Sequence, residues 1–333
     1  MKGDRESRSR RAVRGKRTSG HRPSVPVPAQ RPAGSLKPVL VSFGADDAAA
    51  RLGTVIDAEP ARLTVRRFPD GETYVRFDSA VEGRDVVILA DLSRPDDKIV
   101  PVLWIAATAR DLGASRVGLV APYLPYMRQD ARFQSGEGIT SRYFAGLVSE
   151  HFDWLVTVDP HLHRYRSLEE LYTIPTRVVG AAPLLAEWIE KHVQAPLLVG
   201  PDAESRQWAG AVAGRLGAPS LVLTKTRLND REVRVSIANV DAWRDRTPVL
   251  VDDVISTGGT MVETVRSMVK TGMPGPVCVA VHGIFVGEAH DELIAAGCRR
   301  VVTSNTVPNP TSEIDATALL AEGVRALMTP SSR

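Results

Sequence analysis

Residues 249–260 set a short apolar run beside two acids and a string of small polar residues. The branched apolar residues after Pro248 are too few for a helix and read as a buried strand. Asp252 and Asp253 follow at the C-terminal edge of that strand, where open α/β sheets bind their ligands. Ser256, Thr257, Gly258, Gly259 and Thr260 come next, small residues that let several backbone N–H groups and hydroxyls converge on an anion ahead of a helix N-terminus. Carboxylates accept hydroxyls and the small loop cradles phosphate, so a sugar phosphate matches both parts. An acidic turn capping a helix accounts for Ser256 or Asp253 singly, but not for the whole order.

Other candidate groups stand in loops. Two prolines in Pro122-Tyr123-Leu124-Pro125 forbid a regular ladder, so the stretch to Phe133 is a rigid loop at a strand end. It presents Arg128 and Arg132, planar and permanently charged forks suited to phosphate oxygens, although a solvated Arg pair is the default for such residues alone. In Asp159-Pro160-His161-Leu162-His163, a lone His-x-His without thiolates is thin support for zinc, and His163 reads as an exposed loop residue. Asp202 ends another strand and suits a helix N-cap. Lys225 and Arg227 lie in a polar loop at 224–227, and two exposed cations there mean little by themselves. Phe68-Pro69-Asp70-Gly71-Glu72 reads as the tight turn of a hairpin.

Placing these groups takes a series of buried strands and covering helices. Strands are expected near 38–41, 63–67, 74–77, 85–90, 116–121, 154–158, 197–200, 221–223, 232–237, 277–283 and 299–304. Helices are expected near 99–112, 141–150, 206–216 and 314–328. At 333 residues with 43% hydrophobic and 24% charged side chains, the chain has the composition of a globular protein with room for two ordinary domains. No apolar run approaches the roughly 20 residues that span a bilayer, so no membrane role is expected. Cys278 and Cys298 lack metal-ligand spacing and read as reduced core thiols of a cytoplasmic protein.

The net charge of +3 hides an asymmetry. Residues 1–36 hold ten Lys or Arg and two acids, giving +8, so the other 297 residues carry 3 − 8 = −5. That tail is expected to be disordered, and its clustered Arg without aromatics makes nucleic acid a contact that is not required. It has no apolar core of a signal peptide, and Asp4 and Glu6 disfavour a transit peptide.

The run 252–260 resembles the phosphoribosyl diphosphate (PRPP) binding motif of type I phosphoribosyltransferases. Four further stretches resemble the ribose-phosphate pyrophosphokinase (PRPP synthetase) family in order: residues 67–75 its purine loop, 122–130 its Pro-Tyr-x-x-Arg-Gln-Asp signature, 158–161 its Val-Asp-x-His segment and 201–204 its Pro-Asp motif. Ala131 departs from the pattern, where many members carry a second base. Between 38 and 328 the resemblance implies an α/β fold of two tandem type I phosphoribosyltransferase-like domains, each a mostly parallel sheet flanked by helices. The first would span 37–176 on the ATP side and the second 177–313 on the ribose 5-phosphate side, with helix 314–328 returning to the first.

The implied reaction transfers the β,γ-diphosphoryl group of MgATP to O1 of ribose 5-phosphate, giving PRPP and AMP. By the same resemblance Phe68, Asp70, Glu72, Arg128, Gln129, Asp130, Arg132 and His161 hold ATP. His161 and Asp202 place Mg²⁺, while Asp252, Asp253, Ser256, Thr257, Gly258, Gly259 and Thr260 hold the sugar phosphate. Lys225 and Arg227 match the family's mobile catalytic loop, and the purine loop implies a homo-oligomer, a dimer or a hexamer. The short stretch after the last helix leads to an expectation of weak or altered control by ADP. Two alternatives are a PRPP-using phosphoribosyltransferase, which has no use for the purine loop and the Arg128 loop, and a non-catalytic regulatory subunit, which is expected to lose the mobile-loop bases or the metal residues.

Overall fold

The computed structural model describes residues 36–202, 205–229, 232–236 and 240–328, with backbone alone from 224 to 241. Except for its last residue, the basic tail expected at 1–36 lies outside the described residues.

The first half runs β1 (Val39–Phe43), α1 (Asp46–Ile56), β2 (Glu59–Pro60), the hairpin β3 (Leu63–Arg67) and β4 (Thr73–Phe77), and β5 (Asp85–Ala90). It continues through α2 (Asp96–Asp111), β6 (Arg116–Val120), α3 (Thr140–His151), β7 (Trp154–Val158) and β8 (Thr176–Val179). Six of these strands form one sheet in the order β2-β1-β5-β6-β7-β8, all pairs parallel. β5 is buried along its whole length, because helices cover both faces of a parallel sheet.

The second half repeats the plan. It holds α4 (Ala182–His192), β9 (Pro196–Gly200), α5 (Arg206–Leu216), β10 (Ser220–Val222), the hairpin β11 (Thr224–Asn229) and β12 (Glu232–Ser236), and β13 (Thr247–Ile255). Then come α6 (Gly259–Lys270), β14 (Val277–Gly283), α7 (Ala289–Ala295), β15 (Arg300–Ser304), β16 (Ser312–Ile314) and α8 (Thr317–Met328). Its sheet is also fully parallel, in the order β10-β9-β13-β14-β15-β16. One hydrophobic core, including Val156, Trp188 and Val251, is shared by the two sheets. α8 lies on β7 and β8, where Gly323 permits close approach: a Cβ there would stand 2.7 Å from Val156 Cγ1. Arg116 secures the end of that helix by donating to the carbonyls of Leu327 and Met328.

Three local readings differ. Residues 224–227, expected as a loop, are extended and pair antiparallel with β12, since alternating Thr residues favour a ladder. β13 continues past its acids to Ile255, held by pairing of Ile255 with Gly283. The last helix starts at Thr317 instead of 314, because Ser312 to Ile314 adds an edge strand to β15. Cys278 and Cys298 are buried free thiols with their sulfurs 3.4 Å apart. No described helix is long and apolar enough to cross a membrane.

Candidate active site

A cavity of about 310 Å³ opens where the two sheets meet, lined by Arg128 and His161 from the first half and by Asp202 and residues 252–261 from the second. Strand ends supply nearly all of it. Arg128 belongs to the loop after β6, His161 to the loop after β7 and Asp202 to the turn after β9. α6 begins at Gly259 behind Gly258, whose φ of 72° is a left-handed conformation suited to glycine. The first turn of a helix leaves N–H donors without acceptors inside the helix, and here they border the cavity.

The halves are joined through side chains. His161 Nδ1 donates to Asp253 Oδ2 at 2.6 Å, and Arg128 Nη1 donates to Ser256 Oγ at 3.3 Å. Asp253 is nearly fully buried, at 2% exposure. Its backbone N–H is turned onto Asp252 Oδ1 at 3.0 Å. Burial, then the neighbouring Asp253 and Asp202, push the Asp252 carboxyl up to about 8. Asp202 Oδ1 accepts from the Ser205 N–H and hydroxyl, both at 3.1 Å; Ser205, not Asp202, occupies the cap position of α5.

Such a concentration of carboxylates fits a hard divalent cation. Mg²⁺ takes oxygen ligands and uses one or two protein carboxylates together with water and substrate phosphates. Asp202, Asp252 and Asp253 offer oxygens on one cavity, and the mutual repulsion that raises Asp252 is the kind a divalent charge relieves. Among the described residues no group of three or more acidic, His or Cys side chains is arranged to hold a metal ion by itself.

Several expected site residues stand elsewhere. Phe68, Asp70 and Glu72 occupy the exposed tip of the β3–β4 hairpin and do not line this cavity. There Phe68 meets Tyr74 edge to face, and the Arg66 guanidinium lies over both rings. Arg132 Nε donates to the Glu137 carbonyl, and the Gln129 carbonyl accepts the Ser141 N–H. Asp130 is buried, with Oδ1 3.4 Å from Arg164 Nε and with Oδ2 lacking a hydrogen-bond partner among the described residues. Lys225 and Arg227 fall on β11, and their side chains lie outside the described residues.

Sequence reasoning passed over two residues here. Asp159 adopts φ 32° at the end of β7, and its carboxylate accepts the Ala181 N–H at 2.7 Å. Burial pushes this carboxyl up to about 6. His282, within the otherwise apolar β14, is buried, and burial lowers its imidazole to about 4. A single ionisable residue inside a continuous apolar strand was the available signal.

Residues 41–151 match the model of the N-terminal domain of ribose phosphate pyrophosphokinase, and residues 167–316 match that of the phosphoribosyl transferase domain. A ribose-phosphate pyrophosphokinase of Methanopyrus kandleri is 35% identical over 280 residues, covering 83% of this chain and 94% of that one. One of Sulfolobus acidocaldarius is 32% identical over 267 residues, covering 79% and 91%. The crystal structure of phosphoribosylpyrophosphate synthetase from Mycobacterium smegmatis superposes with a TM-score of 0.77 at 28% identity, covering 87% of this chain and 99% of that one. With both halves matched in order and the relatives aligned over nearly their whole lengths, the chain belongs to the ribose-phosphate pyrophosphokinase family and is an enzyme of that class.

Proposed function

We propose that the protein transfers the β,γ-diphosphoryl group of ATP to O1 of ribose 5-phosphate, yielding PRPP and AMP. The carrying observation is the single cavity in which Arg128 and His161 of one half meet Asp202 and the run 252–260 of the other. In this reading the sugar phosphate sits against the second half, its diol on Asp252 and Asp253 and its phosphate on the small loop and the start of α6. The triphosphate lies toward Arg128 and His161. O1 bonds to the β-phosphorus while the bond from that phosphorus to the α,β-bridging oxygen breaks, AMP leaves, and the O1 proton passes to water. Such a transfer needs positioning and charge neutralisation more than covalent help from the protein.

Asp202 and His161 would hold Mg²⁺ together with the triphosphate, and the ion supplies neutralisation of the phosphoryl oxygens. Arg128, Lys225 and Arg227 provide further positive charge toward the transferred group, which stabilises the transition state most where water is excluded. Gln129, Asp130 and Arg132 support the nucleotide side of the Arg128 loop. Phe68, Asp70 and Glu72 sit on an exposed hairpin away from this chain's cavity, an arrangement that suits adenine recognition in a second copy of a homo-oligomer.

Release of AMP from MgATP on addition of ribose 5-phosphate tests the reading, run beside Lys225→Ala. Wild-type protein is expected to form AMP and PRPP in equal amounts, and the variant to lose about a hundred-fold or more in kcat while still binding ATP. Hydrolysis of ATP to ADP, or no sugar-dependent AMP from protein that binds both substrates, would overturn it.

A further inference from the structure

We infer that His282 is a positioning residue for the transfer: its side chain bonds the end of β7 across the seam between the halves and thereby sets His161 against Asp253. The inference rests on the function proposed above and adds a residue that touches neither substrate.

The geometry assigns the proton. His282 Nε2 faces two carbonyl oxygens, 3.1 Å from Val158 O and 3.4 Å from Asp159 O, so Nε2 must carry the hydrogen. Nδ1 lies 2.8 Å from Thr306 Oγ1 and therefore accepts from that hydroxyl. Ser304 Oγ, 2.6 Å from Val281 O, satisfies the carbonyl that Thr306 would otherwise bond. This polar cluster is fully buried, where each backbone carbonyl needs a donor. The donor for the end of β7 comes from a residue 124 positions away in sequence.

Two site loops touch this imidazole, and the one carrying His161 is hydrogen-bonded to it. Asp159 has its side chain tied to the N–H of Ala181, the cap residue of α4, and its carbonyl tied to His282 on β14. Two residues later His161 reaches Asp253. β13 and β14 pair with Val254 opposite His282, so His282 lies one residue along from Asp253 on the neighbouring strand. The two histidines thus cross the seam in opposite directions at adjacent positions. Tyr123, which opens the loop carrying Arg128, sets its ring edge against His282 with centroids 5.1 Å apart. Loss of the His282 donor leaves two carbonyls unpaired at the base of the His161 loop, and that loop withdraws from Asp253.

Replacement of His282 by Gln, Asn and Leu separates positioning from folding. A glutamine amide reaches the place of Nε2, whereas an asparagine amide reaches only that of Nδ1. In folded His282→Leu, kcat is expected to fall about ten- to a hundred-fold, the scale of a displacement near 1 Å at a reacting group. KM for ATP rises, while KM for ribose 5-phosphate, whose contacts stand on the second half, stays within about twofold. His282→Gln is expected to recover most of the lost kcat and His282→Asn much less, a contrast that keeps the test decisive if the leucine variant does not fold. On a His161→Ala background, adding His282→Gln or His282→Leu should lower kcat no further. Additive loss there, asparagine matching glutamine, or wild-type constants in a folded leucine variant would each overturn the inference. Absence of sugar-dependent AMP formation in the wild type would instead count against the proposed function.

Discussion

β5 and β13 hold the same place in their sheets, each between the strand that opens its half's βα unit and the next parallel strand, yet their ends do different things. After β5 the first acid is Asp91, and it is occupied within its own half. Lys98 Nζ lies 2.6 Å from its Oδ2 and the Ser93 N–H bonds its Oδ1 at 2.9 Å. At the end of β13, Asp252 and Asp253 line a cavity, and the side chain that meets Asp253 there, His161, comes from the other half. One scaffold position has been closed by an internal ion pair and the other left open to a ligand. An ion pair that is already satisfied leaves its carboxylate little reason to bind sugar hydroxyls or a metal, whereas an acid crowded by other carboxylates, as Asp252 is, gains from either.

The sharpest way to break this comparison is to make the same change at both strand ends. Asp253→Asn is expected to lower kcat/KM about a thousand-fold, because it removes a charge from the cavity and leaves a neutral amide in place of the carboxylate that accepts the His161 N–H. Asp91→Asn should leave kcat within about twofold and lower the unfolding free energy by about 1–3 kcal/mol, read by urea titration, because it leaves Lys98 half-buried without its partner. Comparable losses of activity from both would show that the two ends are not divided into an internal and a ligand-binding one.

A milder change sharpens it at the phosphate cradle. Gly258→Ala places a Cβ at φ 72° and 3.4 Å from Ala289 Cβ, which costs about 1–2 kcal/mol of strain in the left-handed region. The strain should appear as an increase of about ten-fold in KM for ribose 5-phosphate, with KM for ATP little changed.

The smallest effect at neutral pH concerns the seam. His282 is held near 4 in the folded protein against an ordinary 6.5, so between these values the unfolded chain binds more protons than the folded one. The contribution of His282 should therefore be fully present above pH 6.5 and fall by roughly 3 kcal/mol as pH drops to 4. The difference between wild type and His282→Gln in unfolding free energy, measured at steps across that window, isolates this slope; parallel curves would show that the imidazole is not buried neutral.

Much of the fold was legible because its signals are local. Residues 86–90 and 154–156 are continuous apolar runs, and both lie in fully buried strands. The run 249–260 spelled out a strand, two acids and a helix start without any partner, and the structure has that order. Legibility failed where pairing decided the outcome. Residues 224–227 look like a polar loop until the antiparallel partner at 232–236 is supplied, and Ile314 looks like the start of a helix until β15 takes 312–314 as an edge strand.

The sequence by itself determined the order of strands and helices, the kind of chemistry each strand end carries, and the likeness of the five motifs to one family. Only the tertiary structure decided that His161 meets Asp253 and Arg128 meets Ser256, pairs 92 and 128 residues apart. It also decided that Asp91 is occupied by Lys98 and that His282 bonds the end of β7. The physical reason is that periodicity and turn chemistry act over a few residues, whereas burial, carboxylate repulsion and hydrogen bonds across the seam exist only once the two sheets share a core.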